Sequence, residues 1–210
     1  MPLLYPKHSE ALYQALQPDP YFAALESWVE TGSPKAAMLA YYDFSMREAR
    51  TFGRIYLPEK AEHGVSVWLK PLASQQAAEK QHQRQSFLVE HFGEGVLDRY
   101  LAAMAGMTAN AAPLIDADAW YLSIVGVLPE FQNRGLGASL ILPILEEADR
   151  AGVSTYLETF TPRNKSFYGR MGYEDAGIFL ETVTGAEYSL MVRPARRQQS
   201  RLSRSRGLGG

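Results

Sequence analysis

Residues 124–137, Ile-Val-Gly-Val-Leu-Pro-Glu-Phe-Gln-Asn-Arg-Gly-Leu-Gly, run from an apolar strand through a seven-residue turn into a glycine-opened amphipathic helix. Such a strand, turn and helix lines up successive backbone amides with the free N–H groups and positive dipole end of the helix, which together bind phosphate oxygens. Arg134 adds a charge-assisted contact, and Gly135 and Gly137 let a ligand approach the backbone because no Cβ intervenes. Gly126 interrupts the strand, where a glycine marks a bulge or the close approach of another backbone or ligand. Pro129 ends ladder pairing. A glycine pair before a helix is also an ordinary turn and helix start. A dinucleotide fold competes as well, since Glu158 lies at a distance suited to holding a ribose. Three features oppose it: Leu140 stands at the third glycine position, the turn from strand to first glycine is long, and too little chain follows for the remaining parallel strands.

The chain of 210 residues suits one sizeable core, and residues 1–195 are expected to form a single domain. It contains no cysteine, which removes disulfides, thiolate zinc sites and a cysteine nucleophile together and points to a reducing, cytoplasmic setting. No apolar run approaches the ~20 residues of a membrane span, and the first six residues are too short and interrupted for a signal peptide. Arg193, Arg196, Arg197, Arg201, Arg204 and Arg206 are six of the 21 basic residues, so residues 1–192 hold 15 of them with all 23 acids, a net charge of −8. An acidic body speaks against nucleic acid as the main ligand. The tail, 196–210, is too poor in apolar residues to fold alone and reads as a disordered end or as an electrostatic contact for an acidic partner.

Helical spacing is evident over 9–16 and 21–30, separated by Pro18-Asp19-Pro20, and Pro34 opens a helix through Ala36, Met38, Leu39 and Tyr42. Residues 54–58 and 65–69 alternate as half-buried strands, with Glu62-His63-Gly64 as the turn. Residues 72–105 read as two helices joined near Gly93-Glu-Gly95. The second half alternates: strand 120–127, helix 137–150, strand 153–159, short helix 166–171 and a last strand 188–192, an order that makes a mixed α/β layer. Pro143 lies inside the long helix, where its missing amide predicts a bend. His8, His63, His82 and His91 show no metal-ligand spacing and are expected at the surface, and no metal is expected; Trp68 and Trp120 are expected in the core.

The segment Gln132-Asn-Arg-Gly-Leu-Gly137 resembles the Gln/Arg-x-x-Gly-x-Gly/Ala signature of the GNAT superfamily of N-acetyltransferases, and Asn164, Tyr168 and Gly172-Tyr173 match that family's pattern after its fifth strand. Among its branches, 119–127, Leu142-Pro143, Leu157-Glu-Thr159 and Pro162-Arg-Asn164 look most like puromycin N-acetyltransferase and its relatives. The resemblance covers roughly residues 117–195. It implies a mixed central β-sheet flanked by helices, with a splayed central strand that opens the acetyl-coenzyme A site. It further implies that Gln132, Asn133, Arg134, Gly135, Leu136, Gly137 and Ala138 hold the pyrophosphate, with Val125, Val127, Asn164 and Tyr168 along the rest of the cofactor. Relatives usually carry glycine at the position of Asn133, and asparagine is the residue that best tolerates left-handed backbone in its place. The family's first strand has at most a stub in residues 1–6, which leaves one sheet edge incomplete.

Transfer from a thioester to an amine needs a neutral amine, a donor for the developing oxyanion and a proton for the departing thiolate, and no protein nucleophile. Amides around Val125 and Val127 suit the pantetheine arm and the thioester carbonyl. Tyr168 follows Asn164 by about one helical turn, on a short helix capped by Asn164. Its phenol is the candidate acid for the thiolate, and a tyrosine packed in the core is the other reading. Glu158, near its strand end, could accept the amine proton or hold the ammonium, or be simply structural. Asp43 could line the acceptor pocket or sit at a helix end. The chain thus reads as an acetyl-coenzyme A-dependent N-acetyltransferase of a small-molecule amine, monomer or homodimer. A non-catalytic acyl-coenzyme A sensor with the same cradle is the alternative.

Overall fold

The computed structural model describes residues 2–58, 63–132 and 134–196. Three helices come first: α1 (Pro6–Leu16), α2 (Pro20–Ser27) and α3 (Pro34–Phe52). Each opens on a proline, whose fixed φ suits the first turn and whose missing amide costs nothing there. Asp19 accepts from the Tyr21 N–H at 3.0 Å and caps α2. The third helix runs well past Tyr42 because Met46, Ala49 and Phe52 continue its buried stripe. Asp43 therefore sits in mid-helix, neither at a helix end nor in the lining of the cavity described below. Its buried carboxylate accepts the Tyr5 N–H at 2.7 Å and pairs with Arg47 at 3.0 Å, holding the start of α1 on α3.

The remaining elements are β1 (Gly53–Tyr56), β2 (Gly64–Leu69), α4 (Ser74–Phe92), α5 (Val96–Ala111), β3 (Trp120–Val127), α6 (Leu136–Ala151), β4 (Thr155–Thr159), α7 (Lys165–Gly169), β5 (Glu174–Glu181) and β6 (Ala186–Arg193). They build one mixed six-stranded sheet in the order β1-β2-β3-β4-β6-β5, in which only β3 and β4 are parallel. The segment 174–181 escapes pattern reading because it is an edge strand with acids at its ends and two exposed apolar side chains, Ile178 and Leu180. Its pairing with β6 makes it a strand. Among the described residues no strand precedes α1, and the four-residue β1 forms the opposite edge. No helix among the described residues is long and apolar enough to cross a membrane.

Two irregularities in β3 shape the centre of the sheet. Its parallel ladder joins Trp120–Leu122 to Thr155–Leu157 and stops there, although β3 continues to Val127 and β4 to Thr159. The strands part, and the β4-facing edge of β3 beyond Leu122 is left without that partner. On the other side the register with β2 slips between Val67 and Trp68, so Ser123 is the extra residue of a bulge. The slip turns Leu122 into the core under α6 and Ile124 into the core beneath α1–α5. Gly126 is regularly paired with Val65. A Cβ there would lie 2.8 Å from Leu12 Cδ2 and 3.2 Å from Ala15 Cβ, so its glycine admits α1 rather than forming the bulge.

Helices α1–α5 cover one face, with Leu12, Leu25, Met46, Leu88 and Phe92 fully buried. On the other, Ile141, Leu145 and Ala148 of α6 pack on Trp68, Leu122, Leu157 and Met191. Both Trp68 and Trp120 are buried, the latter beneath Lys70 Nζ at 3.4 Å. The helix continues through Pro143 as a single element.

Candidate active site

Where β3 ends, the chain folds into a tight turn held by its own backbone. The Leu128 N–H donates to the His63 carbonyl at 2.8 Å, the Phe131 N–H to the Leu128 carbonyl at 2.9 Å, and Gln132 Nε2 to the Val127 carbonyl at 2.9 Å. Gln132 thus braces the turn against the end of the strand. Gly135 then starts α6 with φ +76° and nothing within 4 Å of a Cβ, a left-handed conformation that disfavours any side chain. The amides of Leu136, Gly137 and Ala138 follow in the first turn, where no intrahelical acceptor exists for them. At Gly137 the space is already taken: a Cβ would meet the Phe167 ring at 3.0 Å, so this glycine admits α7. Arg134 is exposed, its guanidinium 5.7 Å from the centre of the Phe131 ring. Asn133 lies outside the described residues, as do residues 197–210 of the tail. Val125 and Ala138 are half-buried against the α6 core, and Val127 is half-buried at the strand end.

Asn164 ends a 3-10 turn, Pro162–Asn164, with φ −75° and ψ −17°. It is already helical, and its side chain makes no cap hydrogen bond, so the expected Asn164 cap of α7 is replaced by continuous helical entry. Tyr168 is buried in the α6 core, edge-on to Phe167 and Tyr173 with centroids 5.1 and 6.0 Å away. Burial, with a smaller contribution from Asp19, pushes its phenol well above the usual range, so it stays protonated.

Beside the parted strands, a cavity of about 470 Å³ lies between the sheet and the helices α2–α5, within the size range of small-molecule sites. Glu158 of β4 and Tyr121 of β3 form part of its wall, the phenol donating to Glu158 Oε2 at 2.7 Å. Burial pushes the Glu158 carboxyl up to about 7, and the Tyr121 hydrogen bond holds it partly down. A carboxylate poised there exchanges a proton near neutral pH. On the helical wall, Arg84 of α4 makes two hydrogen bonds to Glu48 of α3, at 3.2 and 2.6 Å. Lys80 Nζ lies 3.8 Å from the same carboxylate. Burial works against the Arg84 charge, but Tyr100 and Glu48 more than offset it.

Apart from Glu158, no individual residue of this wall is singled out by the sequence, although helices 72–105 and the region 38–46 are expected to shape acceptor choice and a residue-level signal is present. Tyr41, Ser45, Glu48 and Phe52 stand at helical spacing on one buried face of α3, so Glu48 is an acid on an apolar stripe. The histidines also depart from expectation. His63 is buried under the turn, its ring 6.1 Å from that of Phe131, because its carbonyl anchors Leu128. His8 and His91 are half-buried beside Tyr5 and Phe87, and only His82 of the four is exposed.

The acetyltransferase (GNAT) family model matches residues 9–173. Among solved structures, a Corynebacterium glutamicum protein described as histone acetyltransferase HPA2 and related acetyltransferase is 22% identical, with a TM-score of 0.65 over 93% of each chain. Arylalkylamine N-acetyltransferase 2 from Aedes aegypti is 14% identical, with a TM-score of 0.62 over 91% of this chain and 94% of that one. The Drosophila melanogaster polyamine N-acetyltransferase is 15% identical, with a TM-score of 0.55 over 89% and 95%. At these identities the likeness is one of fold.

Proposed function

The chain belongs to the acetyltransferase (GNAT) family, and from that premise we propose that it transfers an acetyl group from acetyl-coenzyme A directly to the amine of a small-molecule acceptor. The observation that carries this reading is Glu158, a carboxyl with its proton affinity raised to about 7 in the wall of a cavity beside the parted strands. A sensor that only binds an acyl-coenzyme A has no use for such a group.

The residues fit the substrate at both ends. The left-handed Gly135 and the first-turn amides of α6 suit a pyrophosphate, with the exposed Arg134 as a counter-charge and Asn133, its neighbour in sequence, assigned to the same ligand. The β4-facing edge of β3 around Val125 and Val127 suits the amide-bearing arm and the thioester oxygen. Bound there, acetyl-coenzyme A supplies a thioester carbon open to a neutral amine. Glu158 accepts the ammonium proton, directly or through water, and frees the nitrogen lone pair. As the C–N bond forms and the C–S bond breaks, β3 amides hold the oxyanion and Tyr168 donates its proton to the leaving sulfur; the second nitrogen proton, lost as the amide forms, returns through water to the Tyr168 phenolate, and Glu158 gives up its own proton to solvent. Asn164, on the turn before α7 and four residues ahead of Tyr168, is a further cofactor contact in this reading. The neighbours named for arylalkylamine and polyamine acetylation agree with a small amine as acceptor. The runs at 119–127 and 157–164 place the chain, in our reading, in the branch resembling puromycin N-acetyltransferase.

Thiol release from acetyl-coenzyme A, followed over a panel of small amines, tests the reading, with amine-dependent release expected. Acetyl-coenzyme A should also raise the melting temperature where NAD does not. Stabilisation by NAD alone would overturn the assignment.

A further inference from the structure

The charges around the cavity are segregated. Asp19 and Glu158 are its acids near the α2 start and the β4 end, whereas Lys80 and Arg84 extend from α4 around Glu48. Glu48 is one carboxylate between two cations, and Arg84 takes both of its oxygens at hydrogen-bond distance. Lys80 at 3.8 Å is too far for a hydrogen bond, so its ammonium protons remain available to a ligand. The third cation of the wall, Lys70, is already engaged, 3.1 Å from Glu147 and over the Trp120 ring. Burial lowers the proton affinity of Lys80, a desolvation cost that an incoming anion would relieve. The phenol of Tyr21 feels both Arg84 and Glu158, so the two poles lie within electrostatic reach across one space. Aromatic rings of Phe22, Tyr41, Tyr100 and Phe160 line the interval.

We infer that the acceptor is a monoamine carrying a carboxylate on the side away from the amine, joined by a flat apolar body, with Lys80 beside Arg84 as the anchor for that carboxylate. The inference rests on the acetyl-transfer reading for the identity of the reacting amine. A polyamine would place its second ammonium against Lys80 and Arg84, where like charges repel, so the cavity discriminates against it.

The test compares 4-(2-aminoethyl)benzoate, 2-phenylethylamine and agmatine as acceptors for the full chain, with thiol release and calorimetric binding in the presence of coenzyme A both measured. The carboxylate-bearing amine is expected to exceed 2-phenylethylamine by at least about tenfold in kcat/KM, as a charge-assisted hydrogen bond would supply, with agmatine the poorest. Lys80→Met should bring that ratio to within about twofold, and Lys80→Arg should preserve it. A wild-type ratio of one or below, or a ratio that Lys80→Met leaves intact, overturns the inference while leaving acetyl transfer standing. Tighter binding of the acid with no thiol release from any amine leaves the inference standing and removes the transfer reading. Neither binding nor release removes both.

Discussion

The proposed cofactor site draws on consecutive residues between Val127 and Ala138, whereas the cavity beside it draws Tyr21, Glu48, Arg84, Tyr121 and Glu158 from five separate elements. The first region works through backbone: a left-handed glycine, first-turn amides and a side chain, Gln132, that bonds a main-chain carbonyl. The second works through half-buried and buried charges whose properties depend on neighbours 36 and 37 residues away. A backbone site is sensitive to φ and tolerant of side-chain chemistry. A pocket of paired charges is sensitive to every side chain and indifferent to local propensity.

That contrast can be broken by substitutions that strike one region and should spare the other. The largest effect is expected for Glu158→Gln, with kcat/KM falling about 100-fold or more as for loss of a general base, and acetyl-coenzyme A affinity unchanged. The wild-type rate should rise with pH through about 7, and this limb should vanish in the variant. The same group predicts stability. Its carboxyl binds a proton more tightly folded than unfolded, so between 4.5 and about 7 stability falls as pH rises. Glu158→Gln should therefore be more stable than the parent at pH 8, by about 3 kcal/mol, and equally stable at pH 4. A variant that lost stability at pH 8 would mark Glu158 as structural.

Tyr168→Phe should slow thiol release at least ~10-fold with cofactor affinity retained, as removal of a general acid would. An unchanged rate would leave the residue a core tyrosine. Gly135→Ala should weaken acetyl-coenzyme A binding about tenfold, since left-handed backbone costs an L-residue roughly 1–2 kcal/mol, without changing acceptor affinity. Calorimetry with each ligand separately checks this. Smallest is Tyr121→Phe: losing the hydrogen bond that holds Glu158 down should move the limb of the pH–rate profile upward by up to about one unit. The deficit should then disappear at alkaline pH, and a shift in the opposite direction would contradict the placement of the pair.

The strand, turn and helix from Trp120 to Ala151 are legible in the sequence because each demand is local. A strand, a turn and a glycine before an apolar stripe declare themselves within one stretch, and the helical period of α6 and the alternation of β3 do likewise; β2, expected to be half-buried, is instead buried on both faces because helices cover both sides of the sheet there. Other local expectations met tertiary competition. The room at Gly126 and Gly137 went to Leu12, Ala15 and Phe167, because a missing Cβ shows that something comes close and not what. Asn164 could not cap a helix it had already joined. The edge strand β5 has no period of its own, and only hydrogen bonding to β6 makes it regular.

By itself the sequence determined the element types apart from β5, a turn whose form suits a phosphate, and Tyr168 and Glu158 as candidates, since these follow from periodicity and from residue chemistry at short range. Only the tertiary structure decided where β3 leaves β4, that Ser123 rather than Gly126 is the bulge, and that Arg84 meets Glu48 while Tyr121 meets Glu158. The physical reason is that a charge's environment, its desolvation and its partner, is set by residues distant in the chain and close in space.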